Sequence, residues 1–228
     1  MFETVQRLLP RPVRRYILHF ETAIEDAVAA FAASIPEGAR VLDAGCGECK
    51  YKRWFSRQRY IGIDLGIGDT SWNYTRVDAV ADLGSIPFRS GSFEAALNLV
   101  TLEHVREPAL VLAEIVRVLS PGGRLLLILP HEWEEHQTPH DYFRYTRYGA
   151  EYLLRRVGFE EIRIEPVGGF FRLLSRRLLN GLQFFPPLLL PFAAIFLGGP
   201  ALVFPLLDGL DRRRNFTLGY ICTARKPL

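Results

Sequence analysis

The sequence predicts an α/β protein, a mostly parallel β-sheet covered by helices on both faces. Three observations carry that expectation. Short apolar runs alternate with stretches of helical periodicity. Most of those runs are hydrophobic nearly throughout, and the first, "ARVLDAG", feeds a glycine turn. Strands of that kind are buried on both sides, as in a parallel sheet whose crossovers are helices. At 228 residues the chain is long enough for one sizeable domain of this class.

The elements follow in order. Ile17, Phe20, Ile24, Val28 and Phe31 recur at spacings of three or four, which marks one amphipathic helix over 13–34, ended by Pro36 and Gly38. "ARVLDAG", "YIGIDLG" at 60–66, "FEAALNLV" at 93–100 and "GRLLLILP" at 123–130 read as strands. Between the last two, "PALVLAEIVRVLSPGG" has helical spacing and a Pro-Gly-Gly stop. Residues 147–157 form another helix before Gly158, "FEEIRIEPV" alternates like a half-buried strand, and "FTLGYICTARK" is the last strand.

Composition narrows the class. With 49% apolar and 23% charged residues the chain is not disordered. The net charge is +3, and lysine occurs only at 50, 52 and 226. This arginine bias is read as a coding bias, and no nucleic-acid partner is expected. Cys46, Cys49 and Cys222 make no disulfide framework and suit a reducing compartment. The CxxC of Cys46 and Cys49 has no second pair to complete a zinc site, and a redox-sensitive loop is its lesser alternative. The first fifteen residues lack the unbroken apolar core of a signal peptide.

A strand, a glycine turn and a following helix make a nucleotide-type site, where the backbone approaches its ligand closely. The turn reads Gly45-Cys46-Gly47-Glu48-Cys49-Lys50. Lysine stands where the dinucleotide fingerprint needs its last glycine, and the P-loop GK[ST] is missing. Asp43, two residues before the first glycine, argues for a cationic or hydroxyl-bearing ligand.

"VLDAGCG", "GIDLG", "ADLGSIPFRSGSFEAALNLVTLEHV" and "RVLSPGGRLLLILP", in that order, resemble the successive motifs of class I S-adenosylmethionine (SAM) dependent methyltransferases of the type 11 kind. The resemblance covers 39–168 and the last strand, and implies a Rossmann-like seven-stranded sheet with SAM as cofactor. It implies that Asp43, Gly45 and Gly47 line the methionine part of SAM, and that Asp64, with Leu65 beside it, takes the ribose hydroxyls. Asp82 and Leu83 match the position that meets adenine, and Asn98 the one near the amino-acid end. Cys49 departs from the family, which often has a third glycine there. It is read as a tolerated variation because the helix has nearly begun.

Methyl transfer is an in-line displacement, so an enzyme positions the reactants and, for a hydroxyl, removes a proton. Candidates lie past the fourth and fifth strands. "TLEHV" supplies Glu103 and His104, and "HEWEEHQTPHDYFRYT" supplies His136, His140, Asp141 and Tyr142, the proposed catalytic set with His104. A second resemblance, of His136–Thr146 to a loop in bacterial methyltransferases of cell-surface glycans and lipids, is loose. The plainer reading pairs Asp141 with Arg144 and makes Thr146 a helix cap. Quinone-type relatives place a metal near an equivalent Glu-His. The spacing of His131 and His136 does not suit a zincin, and no metal is expected here.

Residues 178–207 hold no charge. Family members usually join their last two strands by a short hairpin, so this is an insertion. Pro186, Pro187, Pro191, Pro200, Pro205 and Gly198-Gly199 are expected to break it. Its longest clean piece, near Phe192–Leu197, would reach about 15 Å as a helix against a hydrocarbon core of about 30 Å. Arg172, Arg176 and Arg177 precede it and Arg212, Arg213 and Arg214 follow. Two basic flanks want the same side of a membrane, which suggests a hairpin dipping into one leaflet. A lid or a dimer interface is the alternative. If the last strand is antiparallel, the insertion leaves and returns at the SAM edge.

The expected organisation is therefore a helical segment at 1–38, a SAM-binding core at 39–168, the insertion at 169–215 and a last core strand at 216–228. The expected function is methyl transfer, to oxygen by preference, on a hydrophobic or membrane-associated acceptor such as a lipid, lipid-linked glycan or quinone. The setting would be the cytoplasmic face of a membrane. The rival is a non-catalytic SAM-fold partner or regulator. Oligomeric state is not legible.

Overall fold

A computed structural model describes residues 10–68 and 71–228; the first part of the signal-peptide reading lies outside them. Seven strands form one sheet: β1 (Arg40–Ala44), β2 (Arg59–Asp64), β3 (Ala79–Val80), β4 (Phe93–Leu99), β5 (Leu119–Pro130), β6 (Glu160–Val167) and β7 (Gly219–Arg225). Their order across the sheet is β3-β2-β1-β4-β5-β7-β6. The first five are parallel, with Leu42 opposite Ile61 and Ala96, and Leu97 opposite Leu126. β7 runs the other way: Lys226 N–H at its end donates to Gly123 near the start of β5 at 2.8 Å. This mixed sheet confirms the predicted α/β class.

The order places β1 and β4 side by side at the centre, the switch point where such sheets bind ligands. Leu42, Ala44, Ala96, Leu125, Leu127 and Cys222 share one buried cluster with Val111, Leu112 and Ile115 of α3 (Pro108–Val118) and Ala150 and Leu154 of α4 (Arg147–Arg156). Side chains alternate along a strand, so Val41, Asp43 and Leu126 point to the opposite face. There Ala27, Ala30 and Phe31 of α2 (His19–Ser34) line a groove with Leu126 and Ile221.

The structure corrects the sequence reading in four places. The single helix expected over 13–34 is two, α1 (Arg11–Ile17) and α2, parted at Leu18 with φ −103° and ψ 55°. No α-helix follows the glycine loop; turns lead to a single 3₁₀ turn, Lys52–Phe55. β3, two residues long, carries no period to read. In the insertion, after α5 (Phe170–Gly181), the chain is helical without a break over Leu190–Leu210, here α6. The expected breakers are absorbed there: Pro191, Pro200 and Pro205 each fall in the first turn of an α, α or 3₁₀ stretch, and a π-helical stretch, Ala194–Gly198, intervenes. Pro191 stands in the first turn of the whole helix and forfeits no hydrogen bond, whereas Pro200 and Pro205 lie inside it, where the helix changes from π to α and from α to 3₁₀.

The chain divides into two compact units. One holds residues 25–165 and 220–228, with most of the sheet; the other joins residues 10–24 to Pro166–Gly219. In the second, Tyr16 of α1 donates to the carbonyl of Leu202 in α6, and Arg176 of α5 pairs with Glu21 at 2.9 Å.

Candidate functional site

The glycine loop is shaped by what it touches. Gly45 has φ 86°, and a Cβ there would lie 2.2 Å from Thr101 Cγ2, so both conformation and space demand glycine. Its N–H and that of Cys46 donate to the Ile63 carbonyl, at 2.8 and 3.1 Å, and Thr101 Oγ1 donates to the Gly45 carbonyl at 3.1 Å. Asp64 braces the loop with both oxygens, accepting from Gly47 N and Gly66 N at 2.8 Å each. Each oxygen keeps a second lone pair for a ribose hydroxyl. Trp72 lies against Gly47, and its ring would sit 3.1 Å from a Cβ there.

Cys49 has φ 54°, the left-handed region that favours glycine. That explains why a glycine is common at this position, and it is a backbone reason rather than the onset of a helix. The Cys46 and Cys49 sulfurs are buried 3.4 Å apart, and burial raises both thiol pKa values, keeping them protonated.

Asp43 and Asn98 stand on neighbouring central strands, both buried. Tyr60 donates to Asp43 Oδ2 at 2.6 Å, and burial lifts the carboxyl to about 7 despite that bond. Asn98 Nδ2 donates to the Ala44 carbonyl at 2.8 Å. The remaining oxygens, Asp43 Oδ1 and Asn98 Oδ1, are buried and have no partner. The two orphaned acceptors stand at the ends of β1 and β4 on opposite faces of the sheet, Asn98 on the face of Ala96 and Leu127 and Asp43 on the other; an ammonium group, such as SAM carries, would satisfy a buried acceptor of this kind. When bound there SAM supplies an electrophilic methyl group.

Past β3, exposed Asp82 accepts from Gly84 N at 2.8 Å, making an Asx turn, while Leu83 is buried in the core and Leu65 is exposed. Asp64 and the Asp82 turn are close in the chain path, because Ala81 N donates to the Asp64 carbonyl at 3.0 Å.

The acceptor-side candidates meet just beyond Thr101. Glu103 sits in a 3₁₀ turn, Leu102–His104, and the loop from β5 closes on it: Tyr142 N donates to the Glu103 carbonyl at 2.9 Å and Tyr145 Oη to the Leu102 carbonyl at 2.9 Å. Arg144 grips Asp141 with two bonds of 2.6 and 2.7 Å and also donates to the carbonyls of Trp133 and Glu134. That pairing holds the Asp141 carboxyl down at about 2. Asp141 Oδ2 also accepts from His136 N at 2.9 Å, and Thr146 caps α4 by accepting from Gly149 N at 3.1 Å.

His104 Nδ1 lies 2.6 Å from the His140 carbonyl and His136 Nδ1 3.1 Å from that of Glu134. A carbonyl only accepts, so His104 Nδ1 carries the hydrogen and its Nε2 a lone pair; His136 Nδ1 also lies 3.5 Å from the Arg144 Nη2 donor. Both Nε2 atoms face Glu103 Oε1, at 3.7 and 3.8 Å. None of the three atoms has a hydrogen-bond partner. Burial lifts Glu103 to about 8 and lowers His104. Ligand atoms of Glu103, His104 and His136 lie within 4.8 Å of one another, close enough to hold one metal ion. His140 and Tyr142 stand beside this group: Arg106 Nε donates to Tyr142 Oη at 3.2 Å, and Tyr142 Oη lies 3.1 Å from His140 Nδ1.

Sequence reasoning passed over Tyr60, Thr101 and Trp72. No motif marks them, since each acts by touching a motif residue from another element.

Comparison with known proteins agrees with this geometry. Residues 42–127 match the family described as "Methyltransferase domain". The chain is 34% identical over 140 residues to a tRNA (carboxymethyluridine(34)-5-O)-methyltransferase of Arabidopsis thaliana, covering 58% of this chain and 33% of that one. It is 33% identical over 131 residues to the ubiquinone biosynthesis O-methyltransferase of Nitrosococcus oceani, covering 52% of each. The chain thus spans about half or less of these relatives. In fold it is similar to Burkholderia thailandensis 1,6-didemethyltoxoflavin-N1-methyltransferase, with a TM-score of 0.59 at 19% identity over 95% of this chain and 85% of that one. Its sheet order, its glycine loop braced by Asp64 and its matched segment agree, and residues 42–127 of the chain are a methyltransferase domain.

Proposed function

We propose that the chain transfers the methyl group of SAM to a hydroxyl oxygen of a hydrophobic acceptor, with Glu103 and its two histidines receiving the proton. The observation that carries this is a buried cluster of three polar atoms with no hydrogen-bond partner: Glu103 Oε1, His104 Nε2 and His136 Nε2. Buried polar atoms without a partner are costly. Separations of 3.7 and 3.8 Å are too long for bonds among themselves, and a hydroxyl brought between them would satisfy them. Such a hydroxyl donates its hydrogen as its oxygen takes the methyl group, so each turnover yields the methyl ether, S-adenosylhomocysteine and one proton.

The chain's residues divide the work. Asp43 and Asn98 receive the charged amino-acid end of the cofactor, and Asp64 and the Asp82–Leu83 turn its nucleoside. Arg144 fixes the loop that carries His136. Glu103, with a pKa near 8, is matched to a hydroxyl that must lose its proton near neutral pH. Oxygen is favoured further because both curated relatives are named as O-methyltransferases.

A second reading rests on the 4.8 Å donor set: a divalent cation there would acidify the hydroxyl in place of the carboxylate. Chelator separates the two, since only the cation reading loses activity in it. The main test is calorimetric titration with SAM, followed by mass spectrometry of lipid extracts and of tRNA incubated with labelled SAM. Label in the lipid fraction supports the proposed acceptor class, and label in tRNA overturns it. A folded chain that binds no SAM would be a non-catalytic partner or regulator instead.

A further inference from the structure

In the unit of residues 10–24 and Pro166–Gly219, helix α6 is packed inside out. Its small residues face inward: Ala193 and Ala201 are buried, and Ser175 of α5 donates to the Ala201 carbonyl at 2.5 Å. Its large residues face outward. Phe192, Ile195, Phe196, Leu202, Leu206 and Leu210 follow one another at helical spacing, each 49–73% exposed. A helix that has only water outside turns such residues to its core.

The charge of the same unit points to what lies outside. Its described residues include nine arginines and three carboxylates, whereas the whole chain carries only +3. All three carboxylates are engaged within the unit. Glu21 pairs with Arg176 at 2.9 Å, Asp208 with Arg172 at 3.6 Å, and Asp211 accepts from Phe170 N and Arg214 N at 2.9 Å each. Arg212 and Arg213, just past the last turn of α6, are exposed.

At 21 residues α6 is about 30 Å long, enough to cross a bilayer. It does not cross one. Its inner face lies along α5, which carries Arg172, Arg176 and Arg177, and the Phe170–Asp211 bond ties the start of the segment to its end. A helix with one apolar stripe along its whole length and a charged helix behind it lies in the membrane plane.

We infer that this unit docks on an anionic lipid bilayer, the outer stripe of α6 among the acyl chains and the arginines at the phosphates. A second copy of the chain is a poorer cover, because pairing these faces would bring two arginine-rich units together. The inference deepens the proposed hydrophobic acceptor by naming where that acceptor is met, and rests on that reading for its purpose alone.

The full chain is sedimented with vesicles of phosphatidylcholine, or of phosphatidylcholine and phosphatidylglycerol in equal parts. Pelleting with the mixed vesicles is expected, at least ten-fold tighter than with neutral ones and weakened by salt. Arg212→Gln with Arg213→Gln should weaken it by roughly five-fold per arginine, and Phe196→Glu with Leu206→Glu should abolish it. SAM affinity, a property of the other unit, stays unchanged in these variants and reports their folding. A chain that binds SAM yet stays in the supernatant with both vesicles overturns the inference. So does a dimer in light scattering that Phe196→Glu splits while vesicle binding is absent. Loss of SAM binding with vesicle binding kept would sink the methyltransferase reading and leave this one standing.

Discussion

Tyr60 gives its phenolic hydrogen to the buried carboxyl of Asp43 across 2.6 Å, joining β2 to β1 at the mouth of the glycine loop. Its hydrogen bond favours the ionised carboxylate and so opposes the burial that raises the Asp43 pKa. Tyr60→Phe should leave the fold intact and weaken SAM binding at pH 7 by about ten-fold, the worth of one hydrogen bond to a charged group. Calorimetric titration measures this, and the loss should shrink as pH rises and Asp43 ionises unaided.

Asp43 itself couples stability to pH with an uncommon sign. Burial lifts it from 3.8 to about 7, so between those values the unfolded chain has released a proton that the folded one keeps. Stability from this group is therefore present below about pH 4 and falls as pH rises towards 7. Asp43→Asn removes the carboxyl. It should raise the melting temperature at pH 8 and leave it little changed at pH 4, while SAM affinity falls at least ten-fold. Thermal scans at the two pH values check the sign.

Glu103→Gln keeps the shape of the buried side chain and removes its proton affinity. Turnover should fall by roughly 10²–10⁴, the usual worth of a general base, with SAM affinity within two-fold of the parent. The parent's pH–rate profile should rise to a limb near 8, the value to which burial brings Glu103, and the variant should lose that limb.

Arg144 holds Asp141 in a two-pronged grip and also binds the carbonyls of Trp133 and Glu134. Lysine has one charged nitrogen and cannot reproduce a planar fork. Arg144→Lys should raise KM for the acceptor several-fold through a looser 131–146 loop, with the Kd for SAM unchanged. An equal loss in both would place Arg144 at the cofactor instead.

The glycine-loop side of the candidate site was more legible in the sequence than the 131–146 loop, for a physical reason. Asp43, Gly45, Gly47 and Asp64 lie where strands end, and the motif spacing follows from the spacing of the strands. The meaning of Cys49 was hidden because a backbone angle leaves no mark on composition. The convergence of His104 and His136 on Glu103 depends on how a sixteen-residue loop returns over a 3₁₀ turn, and no local period encodes it. The continuity of α6 was hidden too. Three prolines and a glycine pair read as breaks, but Pro191 occupies the helix's first turn and Pro200 and Pro205 fall where the helix changes type.

The inverted packing of α6 also reverses the usual map of mutational tolerance. On an ordinary surface helix the outward positions accept any soluble residue and the inward ones accept any apolar residue of fitting size. Here the inward positions are the unforgiving ones: Ala201 is 1% exposed with a serine bonded to its carbonyl, so even leucine has no room. The outward phenylalanines and leucines carry little of the folding energy, and their replacement by polar residues should leave the fold unharmed. Selection that keeps them large and apolar would have to act through what they touch outside the chain.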